Sequence, residues 1–290
     1  MNRSLVLGIL LLALLGAGCI TSGGTDDGTI GIIVSIPPYV EWAERVGGAY
    51  VSVTPVVPAG ASPHTYEITP GQMVTISDAA MWIKNGVGLE HWADKIVSAN
   101  KSLVIVDISE GVDLIPLYDD ADDGHGGVGA YDAHIWLSLT VAQDGVYRIA
   151  DALMTLDPAH ADEYAANRDA YLAELEALDA TITARLESMQ DGHFLVFHPA
   201  WSYFARDYGL VQLSIEKDGK EPGPEHMRSI IDQARDLGIT VVFIEPQYSP
   251  DDARTIATAI GGSVVALNPL SEDYLAGMDA AADALSEGLA

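Results

Sequence analysis

From Thr29 onward, short apolar runs rich in Val and Ile alternate with stretches of helical periodicity. Ile30–Ser35, Val51–Val57, Met81–Lys84 and Leu103–Asp107 form one set of candidate strands. His193–Phe197, Val211–Ser214, Val241–Ile244 and Val264–Leu267 form a second. Short apolar runs without polar alternation suit strands covered on both faces, and helices between such runs predict parallel sheets.

A different pattern separates the two sets. Asp157-Pro158 has the composition of a helix start, with Asp as N-cap and Pro in the first turn. Neither Gly nor Pro then recurs before Gly192. Tyr164, Tyr171, Leu175, Leu178, Ile182 and Leu186 fall at spacings of three, four and seven, with charges on the other faces. About 32 residues at about 1.5 Å each make a rod of roughly 48 Å, longer than one small lobe needs. An exposed coiled-coil arm would show the same stripe, but a helix that joins and braces two α/β lobes accounts better for its length. The expected class is therefore α/β, with two Rossmann-like lobes of parallel sheet and one long rigid backbone helix. The boundaries this predicts are 30–156 for the N-terminal lobe, 157–190 for the helix and 191–290 for the C-terminal lobe.

The N-terminus belongs to neither lobe. One positive charge at Arg3 precedes an apolar run from Ser4 to Ala17, which is too short to span a bilayer of about 30 Å but suits a signal-peptide core. "LLGAGC" resembles a lipoprotein signal, with cleavage before Cys19 and lipid on that cysteine; an ordinary secretory signal with an incidental cysteine is the alternative. Residues 1–18 are thus expected to be removed, and residues 19–29, rich in Ser, Gly, Thr and Asp, to act as a tether. The protein is expected outside the cytoplasmic membrane, anchored to its outer face.

Composition narrows the partners. The chain has 290 residues, 49% of them hydrophobic and 19% charged, enough to bury a sizeable core. Its 42 acidic and 14 basic residues give a net charge of −28. That balance excludes a phosphate-binding stripe, and with it nucleic acid as a partner. The acid excess reads mainly as a solvated surface suited to salty surroundings. A single cysteine excludes a disulfide framework.

Three of the eight histidines occupy distinctive places. His64 lies in a loop after Val51–Val57, His134 between an acidic loop and a helical segment, and His198 at the end of the strand "HFLVFH". Ligands of open α/β sheets collect beyond the carboxyl ends of the strands, which suits His64 and His198. Three imidazoles plus a fourth donor can hold zinc, although each histidine taken alone reads more readily as structural than as a ligand. His91, His160 and His226 lie beside charges in helical patterns and are expected to face solvent.

The words "SPHTYEITP", "AHIWLS", "FHPAWSYFARDYGL", "DGKEPGPEHM", "FIEPQYS" and "ALNPLSEDY" occur in the order found in the cluster A-I metal-binding proteins of ABC importers. Over about residues 30 to 275 the chain resembles these zinc- and manganese-uptake lipoproteins. The resemblance implies two lobes joined by one helix, metal held in the cleft, and His64, His134 and His198 as its first three ligands. It also implies zinc as cargo, because manganese members usually carry a carboxylate at the place of His198. The fourth ligand, commonly Asp, falls on Asn268, a departure that leaves the place to Asn268, a water or a nearby carboxylate. Glu245 reads as an acceptor that orients a ligating imidazole, or as a helix cap or structural group. The acidic, Gly-rich segment 118–133, with His125 in it, is expected either to attract zinc electrostatically or to be ordinary solvated surface.

The function expected is that of a monomeric zinc receptor delivering to an ABC permease, with zinc as transported ligand and Mn2+ less favoured. Its alternatives are a manganese or iron receptor of the same family, a zinc hydrolase with Glu245 as base, and a surface adhesin. Against the hydrolase, H-E-x-x-H is absent.

Overall fold

The computed structural model describes residues 28–117, 131–216 and 223–289. In chain order the first lobe contains β1 (Ile30–Val34), α1 (Pro38–Gly47), β2 (Val51–Pro55), α2 (Pro70–Asp78), β3 (Met81–Lys84), α3 (Ala93–Ala99), β4 (Val104–Asp107) and α4 (Leu139–Leu156). The long helix α5 (Ala161–Leu186) follows. Beyond it come β5 (His193–Val196), α6 (Ser202–Tyr208), β6 (Val211–Ser214), α7 (Pro224–Asp236), β7 (Val241–Ile244), α8 (Asp251–Ile260), β8 (Ser263–Ala266) and α9 (Tyr274–Leu289). Among the described residues no helix is long and apolar enough to cross a membrane.

Both sheets are parallel and repeat one topology: β2-β1-β3-β4 in the first, β6-β5-β7-β8 in the second. In each, the chain steps outward after the first strand and then crosses back over it. The loops after the strands therefore diverge around a switch point, the usual seat of a ligand in this architecture. All eight runs predicted as strands are strands, each with bounds within two residues of those expected.

Helix α5 buries Tyr164, Tyr171, Leu172, Leu175, Ile182 and Leu186 in a single core that also contains Trp42 and Val46 of α1 and Phe204 and Tyr208 of α6. The exposed-arm alternative is thereby set aside. Polar ties run to both sides: Asn167 Nδ2 donates to Val46 O at 3.0 Å, and Arg185 pairs with Asp279 of α9 at 2.9 Å. The α-helical part is shorter than the predicted rod, at 26 residues or about 39 Å. Its ends tighten into 3-10 turns, Pro158–His160 and Glu187–Met189.

Asp157 does not cap the helix start with its side chain. Its carboxylate instead accepts from His160 Nδ1 at 2.6 Å and from the Tyr164 hydroxyl at 2.9 Å. His160 stacks on Tyr50, with ring centroids 3.8 Å apart, so it is half-buried rather than solvent-facing. His226 is likewise half-buried, its Nε2 bonded to Ile215 O at 3.0 Å, whereas His91 is exposed as expected.

The C-terminal helix returns to the first lobe. Glu41 of α1 accepts the backbone N–H groups of Tyr274 and, at 3.2 Å, Leu275. It thus supplies a carboxylate to the first turn of α9, where unpaired amides and the helix dipole favour negative charge. Trp136 Nε1 donates to Pro269 O at 2.7 Å, and the Tyr274 hydroxyl to Trp136 O at 2.6 Å. These contacts close the floor of the cleft between the two sheets.

Candidate metal centre

His64 lies in the loop between β2 and α2, which Gln72 pins at both ends. Thr69 and Gln72 form a capping box at the start of α2, while Gln72 Nε2 donates to Val56 O at 2.6 Å and its Oε1 accepts from Tyr66 at 2.8 Å. His134 precedes a 3-10 turn, Ile135–Leu137, that leads into α4, whose N-cap is Ser138. Asn85 at the end of β3 holds this segment by donating to Ala133 O at 3.0 Å, and the Tyr203 hydroxyl donates to Asp132 O at 2.9 Å. His198 leaves β5 just before Pro199, and Tyr248 stacks on its ring with centroids 5.3 Å apart.

These three segments bring three ring nitrogens together. His64 Nε2 lies 3.2 Å from His134 Nε2, which lies 3.1 Å from His198 Nε2. Three nitrogens bound tetrahedrally at about 2.0–2.1 Å from one zinc would stand about 3.3 Å apart, close to these two spacings.

The other faces of two rings are fixed by carboxylates. His134 Nδ1 contacts Asp132 Oδ1 at 2.6 Å, and His198 Nδ1 contacts Glu216 Oε2 at 2.5 Å. Each carboxylate accepts a hydrogen bond from the Nδ1–H, which favours the tautomer whose Nε2 carries a bare lone pair. The His134–His198 contact then sets lone pair against lone pair, an arrangement that a cation resolves. Among the described residues, His64 alone of the three lacks a carboxylate on its second nitrogen.

Electrostatics favour the neutral form of His64 and His198. Burial in the cleft lowers the pKa of His64 to about 3, with the neighbouring His134 and His198 adding to the shift, although the outer edge of His64 is exposed. Burial also lowers that of His198, against the opposing pull of Glu216. For Asp132, burial acts upward, but the ring and backbone N–H of His134 outweigh it and hold the carboxyl below its usual range.

The surrounding space is open to solvent. Ser62, Pro63, Trp136, Gln247, Tyr248, Pro269 and Leu270 complete its walls with Glu245.

Two expected roles change here. Asn268 is exposed and does not line the cavity; its Oδ1 accepts from Leu270 N at 3.1 Å in a local turn. Glu245 does line it and is 2% exposed, but neither carboxylate oxygen has a hydrogen-bond partner. It therefore orients no imidazole, because Asp132 and Glu216 hold the Nδ1 positions. Burial raises its pKa to about 8, only partly opposed by the backbone amides of Glu245 and His198. Asp132 and Glu216 escaped the sequence reading. The first was visible two residues before His134; the second becomes a neighbour only through strand pairing. Cys19 and His125 lie outside the described residues.

The likeness to known proteins spans both lobes. The family model described as "ZnuA: Zinc-uptake complex component A periplasmic" matches residues 32–288. The "Manganese-binding lipoprotein MntA" of Halalkalibacterium halodurans is 30% identical over 263 residues, 87% of this chain and 84% of that protein. The "High-affinity zinc uptake system protein ZnuA" of Bacillus subtilis is 28% identical over 264 residues, covering 86% and 82% respectively. A crystal structure of ZnuA superposes with a TM-score of 0.85 at 36% identity, covering 90% of this chain and all of that one. With the family model spanning nearly the whole described fold, the chain belongs to the periplasmic zinc-uptake component A family.

Proposed function

We propose that this chain is the metal-capturing component of an ABC importer, that its cargo is zinc, and that His64, His134 and His198 hold the ion between the lobes. The observation that carries this reading is the convergence of three imidazoles, with His134 Nε2 3.2 Å from that of His64 and 3.1 Å from that of His198, and with two of the rings oriented by carboxylates. Zinc is favoured over manganese because the converged donors are imidazoles, whereas manganese prefers harder oxygen ligands. Manganese remains the competing cargo, since the relative from H. halodurans is named for it.

The family is one of solute-binding proteins, not enzymes, so the zinc-hydrolase alternative falls away. The receptor works as a monomer at the outer face of the cytoplasmic membrane, tethered through lipid on Cys19. The name of the relative as a lipoprotein supports that anchor. Metal analysis of residues 20–290 purified without chelator tests the reading. One zinc per chain is expected; a metal-free protein that also fails to take up added zinc would refute it.

A further inference from the structure

We infer that Glu245 is the fourth metal donor, filling the place left open at Asn268. This rests on the reading of His64, His134 and His198 as the other three. Glu245 leaves the end of β7 and lines the cavity that holds the imidazoles. It is almost completely buried, with both oxygens unpartnered. A buried carboxylate without hydrogen bonds is expensive, so native proteins rarely keep one unless it has another role. The remaining candidates lie elsewhere. Asn268, Asp132 and Glu216 do not line the cavity, and the two acids stand behind His134 and His198 on their Nδ1 sides.

Charge points the same way. Three neutral imidazoles leave a divalent ion uncompensated in a partly buried site, and a carboxylate donor cancels half of that charge. Gln247 also lines the cavity but offers only a neutral amide. The converged donor set contains the three imidazoles and no carboxylate oxygen. Glu245 must therefore turn inward as the ion enters, giving up only the weak pull of the backbone amides of Glu245 and His198.

The test compares wild type with Glu245→Gln, Glu245→Met and Asn268→Ala, using chelator competition for zinc and the visible spectrum of the cobalt-loaded protein. Glu245→Gln and Glu245→Met should weaken zinc binding by about tenfold or more, since even outer-shell partners are worth about 10–100-fold. Both should change the cobalt spectrum. Glu245→Met should also melt higher than wild type without metal, because a buried carboxyl group is replaced by an apolar side chain, which a purely structural role would not produce. Asn268→Ala should bind zinc and cobalt as wild type does. Unchanged zinc affinity and cobalt spectrum in both Glu245 variants would overturn the assignment while leaving the three-histidine site intact. An Asn268→Ala loss as large as that of Glu245→Gln would overturn it in favour of the amide. Wild type that binds no zinc would instead overturn the proposed cargo.

Discussion

Zinc at a thousandfold excess over its dissociation constant should raise the melting temperature by roughly 8–16 °C. Metal bound only by the native state stabilises it by mass action, about 4 kcal/mol at that excess. For a chain of about this size each kcal/mol moves the midpoint by about 2–4 °C. Three donors 70 and 64 residues apart in sequence meet only in the folded protein, so the unfolded chain competes weakly. Replacing His64, His134 or His198 with Ala should remove most of the shift. His160→Ala provides the contrast. It loses the bond to Asp157 and the stack on Tyr50, so the metal-free protein should melt lower while the zinc-induced shift survives. Equal loss of the shift in all four variants would show that the wrong histidines were chosen. Calorimetry with and without zinc separates these outcomes.

The second large effect concerns the carboxylates behind the rings. Asp132→Asn and Glu216→Gln should each weaken zinc binding by about 10–100-fold, the usual cost of losing an outer-shell partner. The amide still fits, but it no longer favours the Nδ1-protonated tautomer and adds no negative charge to the imidazole. Asp132 Oδ1 also accepts the backbone N–H of His134 at 2.9 Å, so Asp132→Asn should cost some metal-free stability. Glu216 Oε2 contacts His198 at the cleft wall, and its substitution should act mainly on affinity. Titration of both variants, with metal-free melting as the control, distinguishes the two contributions. Affinities within twofold of wild type would mean that these carboxylates serve only the fold.

The strands were legible because parallel strands covered on both faces are nearly continuous runs of Val, Ile and their neighbours. Val241–Ile244 and Met81–Lys84 show this most simply. The brace was legible from the Tyr171–Leu175–Ile182 stripe, but the tightening of its last turns was not, since end geometry depends on what the chain meets there. The three histidines stood out by their position after strands and by family resemblance; their mutual distances could not. Glu216 illustrates the limit. It stands 18 residues from His198, and β5–β6 pairing puts Val196 beside Ser214, so the two functional residues follow in the same register. Only that register makes them neighbours. Asp132 was hidden differently, as one acid beside an acidic stretch. Alignment by motif says nothing about side-chain engagement, and the bond from Leu270 N to Asn268 Oδ1 was not legible, although Asn followed by Pro readily closes a local turn.

Competition between zinc and manganese for the purified protein tests the central claim most directly. Both metals are supplied at equal free concentration to residues 20–290, stripped of metal, and the bound ion is measured at equilibrium. Three converging imidazoles predict one zinc per chain with manganese displaced, and His198→Glu should narrow the gap between them. Manganese retained in preference to zinc would contradict the account.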